Sequence, residues 1–341
     1  MLEVQPHEIL NSFNYAINCD KIYAGFFTEE QVFKLQIENI DFQKHNDTYV
    51  IIRNKKFELD ENDSIFCSLE FIDELFYLLS KANNLKNIKL LTHQSDKAIT
   101  KKLFLSKPDC ISLWLGINVN YENKNLIPIP IGLSNEHPKN VNYSDIKLKN
   151  KNKNKNKNKK LIYINFNENT NFKHGKNLYN NFKKYKWATV DKANLTKQQY
   201  INNLNQHKFN LSPWGNGIDT HRFWESIYLG TIPITQKHIT YNSAKGLPHL
   251  AVEDYSVLNL DFLKQNIAKE EFNFENEKLR VSYWINYFNS TLDTGEKFKI
   301  NSKLFYINFL KLKKGLNNYY LSKFKIIKYY LHKVMEKIGS L

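Results

Sequence analysis

Apolar residues fall along this chain in two periods. NDTYVIIRN (46–54) and NIKLLTH (87–93) are β-branched or continuously apolar runs with polar ends, which predicts strands. Between them SLEFIDELFYLLSKA (68–82) places Phe71, Leu75, Leu78 and Leu79 at helical spacing, with Ser68 as N-cap. NLIPIPIGLSN (125–135) carries prolines that exclude a central antiparallel strand and suit an extended connection. Further on, KKLIYINFN (159–167), KFNLSP (208–213), TIPIT (231–235) and HLAVED (249–254) read as strands. The segment from Thr220 to Leu229 reads as a helix burying Phe223, Trp224, Ile227 and Tyr228, with Gly230 closing its C-terminus. Strand, loop, helix and strand at this spacing form a βαβ unit and predict a parallel sheet in an α/β fold.

The run KNKNKNKNKK (151–160) buries nothing and repels itself, so it reads as a solvated spacer between two α/β parts. A length of 341 residues suits two domains, and 42% hydrophobic content supplies a core for each. Cys19, Cys67 and Cys110 are scattered and odd in number, which suggests neither a disulfide framework nor a zinc site and fits a reducing compartment. The opening MLEVQPHEILNSF lacks a basic stretch leading into an apolar one, and no 18 apolar residues run together. No secretory leader and no membrane span are therefore expected. The formal charge of +15 points to an anionic partner, although lysine and asparagine are over-used throughout and a compositional bias explains the charge equally well.

One stretch stands apart. NLSPWGNGIDTHRFWESIYLGTIPIT (210–235) holds Gly215, Gly217 and Gly230, and it holds Arg222, one of only three arginines beside Arg53 and Arg280. The loop 212–219 follows one predicted strand and precedes the predicted helix, the position where open parallel sheets bind ligands. The helix start offers unpaired N–H groups and the positive end of its dipole to an anion. Arg222 lies in the first turn, where a cation opposes the dipole, so a diphosphate is the natural partner for its guanidinium. Glu225 follows at i+3 on the same face and can accept from sugar hydroxyls. The plainer alternative is that the glycines serve a turn and that Arg222 and Glu225 pair with each other.

SPWGNGIDTHRFWESIYLGTIPI resembles the nucleotide-sugar-binding motif of exostosin-like (GT47-type) glycosyltransferases, a family with the GT-B fold. That motif reads SP-x-G-x-G, a spacer, R-x-x-E-(A/S), an apolar residue, then G-x-(I/V)-P-(I/V). LPHLAVEDYSVL (247–258) is similar to the downstream segment of these enzymes, and LLTHQSD (90–96), CISLWLGINVN (110–120) and LIPIPIGLSNE (126–136) are similar to their N-terminal half. The resemblance spans about residues 50–265 in the same order. It implies two Rossmann-like domains facing across a cleft: an acceptor-side domain (1–150), the linker 151–160 and a nucleotide-sugar domain (161–300). It implies that Arg222 neutralises the donor diphosphate and Glu225 binds donor hydroxyls. Ser212, Asn216 and Gly217 would contribute loop contacts, with Asp219 and His221 near the phosphates or the sugar. Trp214 replaces the small or basic residue often found after SP, which leaves its role open.

Glycosyl transfer needs a base for the acceptor hydroxyl and a stabilised diphosphate. Asp96 and His93, ending the strand 87–93, are the leading base candidates, and Glu136 follows; a cap or turn role is the alternative for each. There is no Asp-x-Asp pair of the kind that holds Mn²⁺, so no metal and no cofactor beyond the nucleotide-sugar substrate is expected. Inverting stereochemistry is implied by the resemblance alone. In the tail 301–341, Tyr320, Phe324, Ile327, Leu331, Val334 and Ile338 form an apolar stripe amid nine lysines, which predicts a basic amphipathic helix. Such a helix either packs back across both domains or lies on an anionic membrane surface near a lipid-linked glycan acceptor. The expected setting is cytoplasmic, with peripheral attachment to the inner face of a membrane as the sharper version. Two rivals differ in kind. A nucleic-acid-binding protein would fit the charge, but no recognised motif appears and lysine without arginine reads bases poorly, so no nucleic acid is expected. A glycan-binding module with an inactive transferase fold is the other, and intact Arg222 and Glu225 argue against it.

Overall fold

The computed structural model describes residues 4–38, 40–54, 56–82, 84–134, 159–167, 169–170, 175–269, 276–288 and 297–301. The chain forms a mixed α/β structure with a large, mostly parallel sheet and a second parallel one.

The first sheet is built from β1 (Lys21–Phe27), the hairpin β2 (Ile40–Lys44) and β3 (Val50–Asn54), and then, past β4 (Lys56–Asp60), from β5 (Ser64–Ser68) and β6 (Ile88–His93). Past the two-residue β7 (Ile99–Thr100) come β8 (Ile111–Gly116) and, after the short β9 (Val119–Asn120), β10 (Leu126–Pro128). Its order is β10-β8-β6-β5-β1-β3-β2. From β1 to β10 the strands pair in parallel, while β3 and β2 add an antiparallel edge. Strand 46–54 of the sequence reading begins only at Val50, because the Asn46 side chain accepts from the N–H of Thr48 (2.9 Å) and Tyr49 (2.8 Å) and makes a turn there. The predicted helix 68–82 is a 3₁₀ turn followed by an α-helix, Ile72–Leu79, with the Ser68 hydroxyl accepting from Glu70 N–H as the cap. Pro128 sits on the edge strand, where its missing N–H costs least.

The second sheet contains β11 (Lys160–Ile164), β12 (Ala188–Val190), β13 (His207–Leu211), β14 (Ile232–Gln236) and β15 (Leu250–Val252), all parallel, in the order β12-β11-β13-β14-β15. The chain reverses direction across the sheet after β12, so a crevice opens between the carboxyl ends of β11 and β13. This is a doubly wound order with its switch point there. The first sheet has no such reversal among its parallel strands, which follow one another in chain order. The helix His221–Tyr228 leads from β13 to β14, and Gly230 beyond it has φ 65°, the left-handed closure expected from sequence.

That helix joins the halves. Phe223, Trp224, Ile227 and Tyr228 are buried in one apolar cluster with Leu10, Tyr15, Phe27, Phe66, Leu91 and Leu115 of the first half. The Tyr228 hydroxyl accepts from Leu10 N–H (3.0 Å) and donates to Leu279 O (2.7 Å). Residues near 280, grouped by the sequence reading with the second half, return to the first: Ser282 N–H donates to Glu8 Oε2 at 3.0 Å, and Lys89 donates to Phe288 O. The last described strand, β16 (Lys297–Asn301), pairs antiparallel with β4. Residues 151–158 of the spacer and the tail beyond 301 lie outside the described residues. No helix among the described residues is long and apolar enough to cross a membrane.

Candidate functional site

The carboxyl ends of the two sheets meet. Segments just past β6, β8 and β10 touch the loop just past β13, and a small set of polar groups makes the junction.

Asp219 is its centre. It is buried, and its two oxygens accept from Ile131 N–H (2.8 Å), Thr220 N–H (2.9 Å) and the Trp224 indole (2.9 and 3.0 Å), while its own N–H donates to Asn118 Oδ1 at 2.7 Å. Burial pushes its pKa up to about 7, against the pull of these donors. Asp219 was expected near phosphates or sugar; here its oxygens are committed to protein donors, and it clamps the halves together. Asn118, which the sequence reading did not single out, has φ 53° and bridges the same junction, since its amide also donates to Ser95 O at 2.9 Å. Its one visible signal is an asparagine just past an apolar strand, where left-handed backbone is tolerated.

His93 is likewise structural. It is 2% exposed, its Nδ1 accepts from Gln94 N–H (2.8 Å), and its Nε2 therefore donates to Ile131 O (3.1 Å). Burial, with the nearby His221 charge, lowers its pKa to about 3. With both ring nitrogens used and the proton disfavoured, His93 does not fit the role of base for which its sequence position nominated it. Ser212 is also fully buried; its N–H donates to Ile234 O (2.8 Å) and its hydroxyl accepts from Asn210 (3.3 Å). Glu136 lies outside the described residues.

Asp96 is exposed and is brought to the donor loop: a Cβ on Gly217 would stand 3.3 Å from Asp96 Oδ1 and 3.0 Å from the Asn118 amide. A side chain at 217 would therefore crowd both neighbours, and Asn216 beside it is exposed. His221 donates from Nδ1 to Gly132 O at 2.8 Å. Gly132 cannot be replaced, since it has φ 66° and a Cβ would fall 2.1 Å from Leu10 O. Asp96, His221, Glu70 and Gln94 line a cleft of about 430 Å³ with Phe26 and Tyr49.

Arg222 stands on the opposite side, at the switch point. Its Nε donates to Asn165 O (2.7 Å), the first residue past β11, and its guanidinium lies 5.9 Å from the Phe166 ring centre. Glu225 is buried and pairs with Lys197, from the helix Lys197–Asn205, so the Arg222–Glu225 pair considered from sequence is not the one formed. At the helix start the Thr220 hydroxyl is enclosed and meets no hydrogen-bond partner among the described residues, and Thr220 makes no side-chain cap. A Cβ on Gly215 would have only ordinary contacts with Thr170 and Thr220, at 4.0 Å, so that loop has room. Crevice, helix start and cation converge, an arrangement that suits an anion.

Among the described residues no three His, Cys, Asp or Glu side chains are grouped to hold a metal ion. No protein-family model matches the chain, and no curated protein matches it in sequence.

Proposed function

We propose that this protein is a glycosyltransferase of the exostosin-like type, built as a GT-B enzyme with two facing Rossmann-like domains. It moves a sugar from a nucleotide donor, UDP-linked by expectation, to a glycan or lipid-linked glycan, with inversion and without a metal. The observation that carries this reading is Arg222: a cation at the start of a helix, hydrogen-bonded to Asn165 O across the crevice between β11 and β13.

In this reading the donor diphosphate lies on the helix start, against Arg222. Negative charge grows on the leaving diphosphate as the bond from the anomeric carbon to its oxygen breaks, and fixed donors there lower the barrier. The acceptor hydroxyl, in the cleft lined by Asp96 and His221, forms the new bond and passes its proton to one of these two groups. Glu225 meets donor hydroxyls together with its partner Lys197. The tail 301–341 is proposed to hold the enzyme at an anionic membrane face.

The test is nucleoside diphosphate release from UDP-, GDP- and dTDP-sugars, with and without glycan acceptors. One donor class should be turned over, and Arg222→Ala should lose about 100-fold or more of the rate. Absence of turnover with every donor, or an unchanged rate in Arg222→Ala, would remove the donor-site assignment.

A further inference from the structure

Away from this junction, on the outer side of the second sheet, lies a second cavity of about 550 Å³. Tyr185 and Trp187, just before edge strand β12, stack at 4.7 Å with 18° between planes, and Tyr185 remains 45% exposed. Opposite them, the start of the helix Leu260–Lys269 supplies Asn259, Asp261 and Gln265, all exposed, with Val257 and Phe262. The Asn259 side-chain oxygen Oδ1 caps that helix by accepting from Phe262 N–H at 2.9 Å, which turns its amide NH₂ outward from the cap. Trp187 is held edge-on by the buried Phe182, with ring centres 5.9 Å apart, so the pair is a fixed platform.

We infer that this cavity binds a neutral oligosaccharide, at a site separate from the transfer cleft. A pyranose has one face of C–H groups and a rim of hydroxyls. The C–H face packs on an aromatic ring, and the hydroxyls need planar groups that both donate and accept. The lining provides those: a half-exposed ring pair, two side-chain amides and one carboxylate. Charge separates this ligand from a nucleic acid strand, which would also stack on Tyr185. Lys183, Lys184 and Lys186 are exposed nearby in sequence, but among the described residues that line the cavity the one charged side chain is Asp261, which repels phosphate. The inference stands whether or not the donor site is assigned correctly, since it shares no residue with it.

The experiment titrates the full chain with cellohexaose, chitohexaose, maltoheptaose and mannohexaose, reading tryptophan fluorescence and calorimetric heat. Wild type, Tyr185→Ala, Gln265→Ala and Arg222→Ala are compared. At least one neutral oligosaccharide should bind, weakened about tenfold in Tyr185→Ala and less in Gln265→Ala, and unchanged in Arg222→Ala. Because Tyr185 is half exposed, its replacement leaves the fold standing, and an unchanged melting temperature checks this. No binding across the panel, or binding that Tyr185→Ala leaves intact, would overturn the inference. So would tighter, salt-sensitive binding of oligo-dT that is lost in Tyr185→Ala.

Discussion

The two sheets present similar carboxyl ends to each other but use them differently. At the first, polar residues are consumed by structure: His93 by Ile131 and Gln94, Asn118 by Ser95 and Asp219, and Gln94 by Ser12 and Phe26. Its parallel strands follow chain order, and the opening there is the cleft of about 430 Å³ lined by His93, Gln94, Asp96 and His221. At the second, the order reverses at β11, and the residues beside the break include a half-buried arginine. Both edges thus offer a place for a ligand, a side-chain-lined cleft at the first and a topological switch point at the second. A polar residue at a strand end is informative only when its hydrogen bonds have been accounted for.

The comparison breaks most visibly at the helix the halves share. Trp224→Ala removes a fully buried indole and a donor to Asp219, and should cost about 3–5 kcal/mol in chemical denaturation. Next, Arg222→Ala should abolish nucleotide binding while shifting stability by no more than about 1 kcal/mol, because its neighbours stay packed. A destabilisation as large as that of Trp224→Ala would mean Arg222 is structural, like the polar groups of the first edge. Third, Tyr228→Phe leaves Leu10 N–H and Leu279 O without their shared hydroxyl and should cost about 1–3 kcal/mol.

A further effect is in the pH profile. His93 titrates near 6.5 when unfolded and near 3 when folded, so its contribution is complete above pH 6.5 and is lost as the pH falls toward 3. Asp219, raised from 3.8 to about 7, acts in the opposite sense: its contribution is complete below pH 3.8 and is lost as the pH rises through 7. Over pH 4–6.5 the two offset each other. His93→Gln should therefore leave stability falling as pH rises through that window, where wild type is flatter. Parallel profiles from urea midpoints would contradict the neutral, buried His93 described above.

Much of the fold is legible in the sequence, and less of the site. The apolar runs that became β6, β11, β13, β14 and β15 announce themselves, as does the helix from His221 closed by Gly230, because each signal is local. β1 and β5 escape notice: KIYAGFF and SIFCS are short and buried on both faces, so they lack alternation. The helix Lys197–Asn205 is largely polar, which hides it, and with it the lysine that pairs with Glu225. Arg222 could be picked out because a first-turn cation is locally wrong. The fates of His93 and Asp219 could not, since each depends on Ile131, 38 residues from one and 88 from the other. Pairings at that distance are set by strand order, which local patterns do not encode.

The central claim is that Arg222 and the helix start bind a nucleoside diphosphate without a metal. Thermal melting of wild type and Arg222→Ala with UDP, GDP, dTDP and the matching sugars, in EDTA and in Mn²⁺, tests it most directly. A ligand that binds the folded state raises the melting temperature by mass action. The account predicts that one diphosphate family stabilises wild type equally in EDTA and in Mn²⁺, and has no effect on Arg222→Ala. A shift that requires Mn²⁺, one that persists in Arg222→Ala, or none with any nucleotide would contradict it.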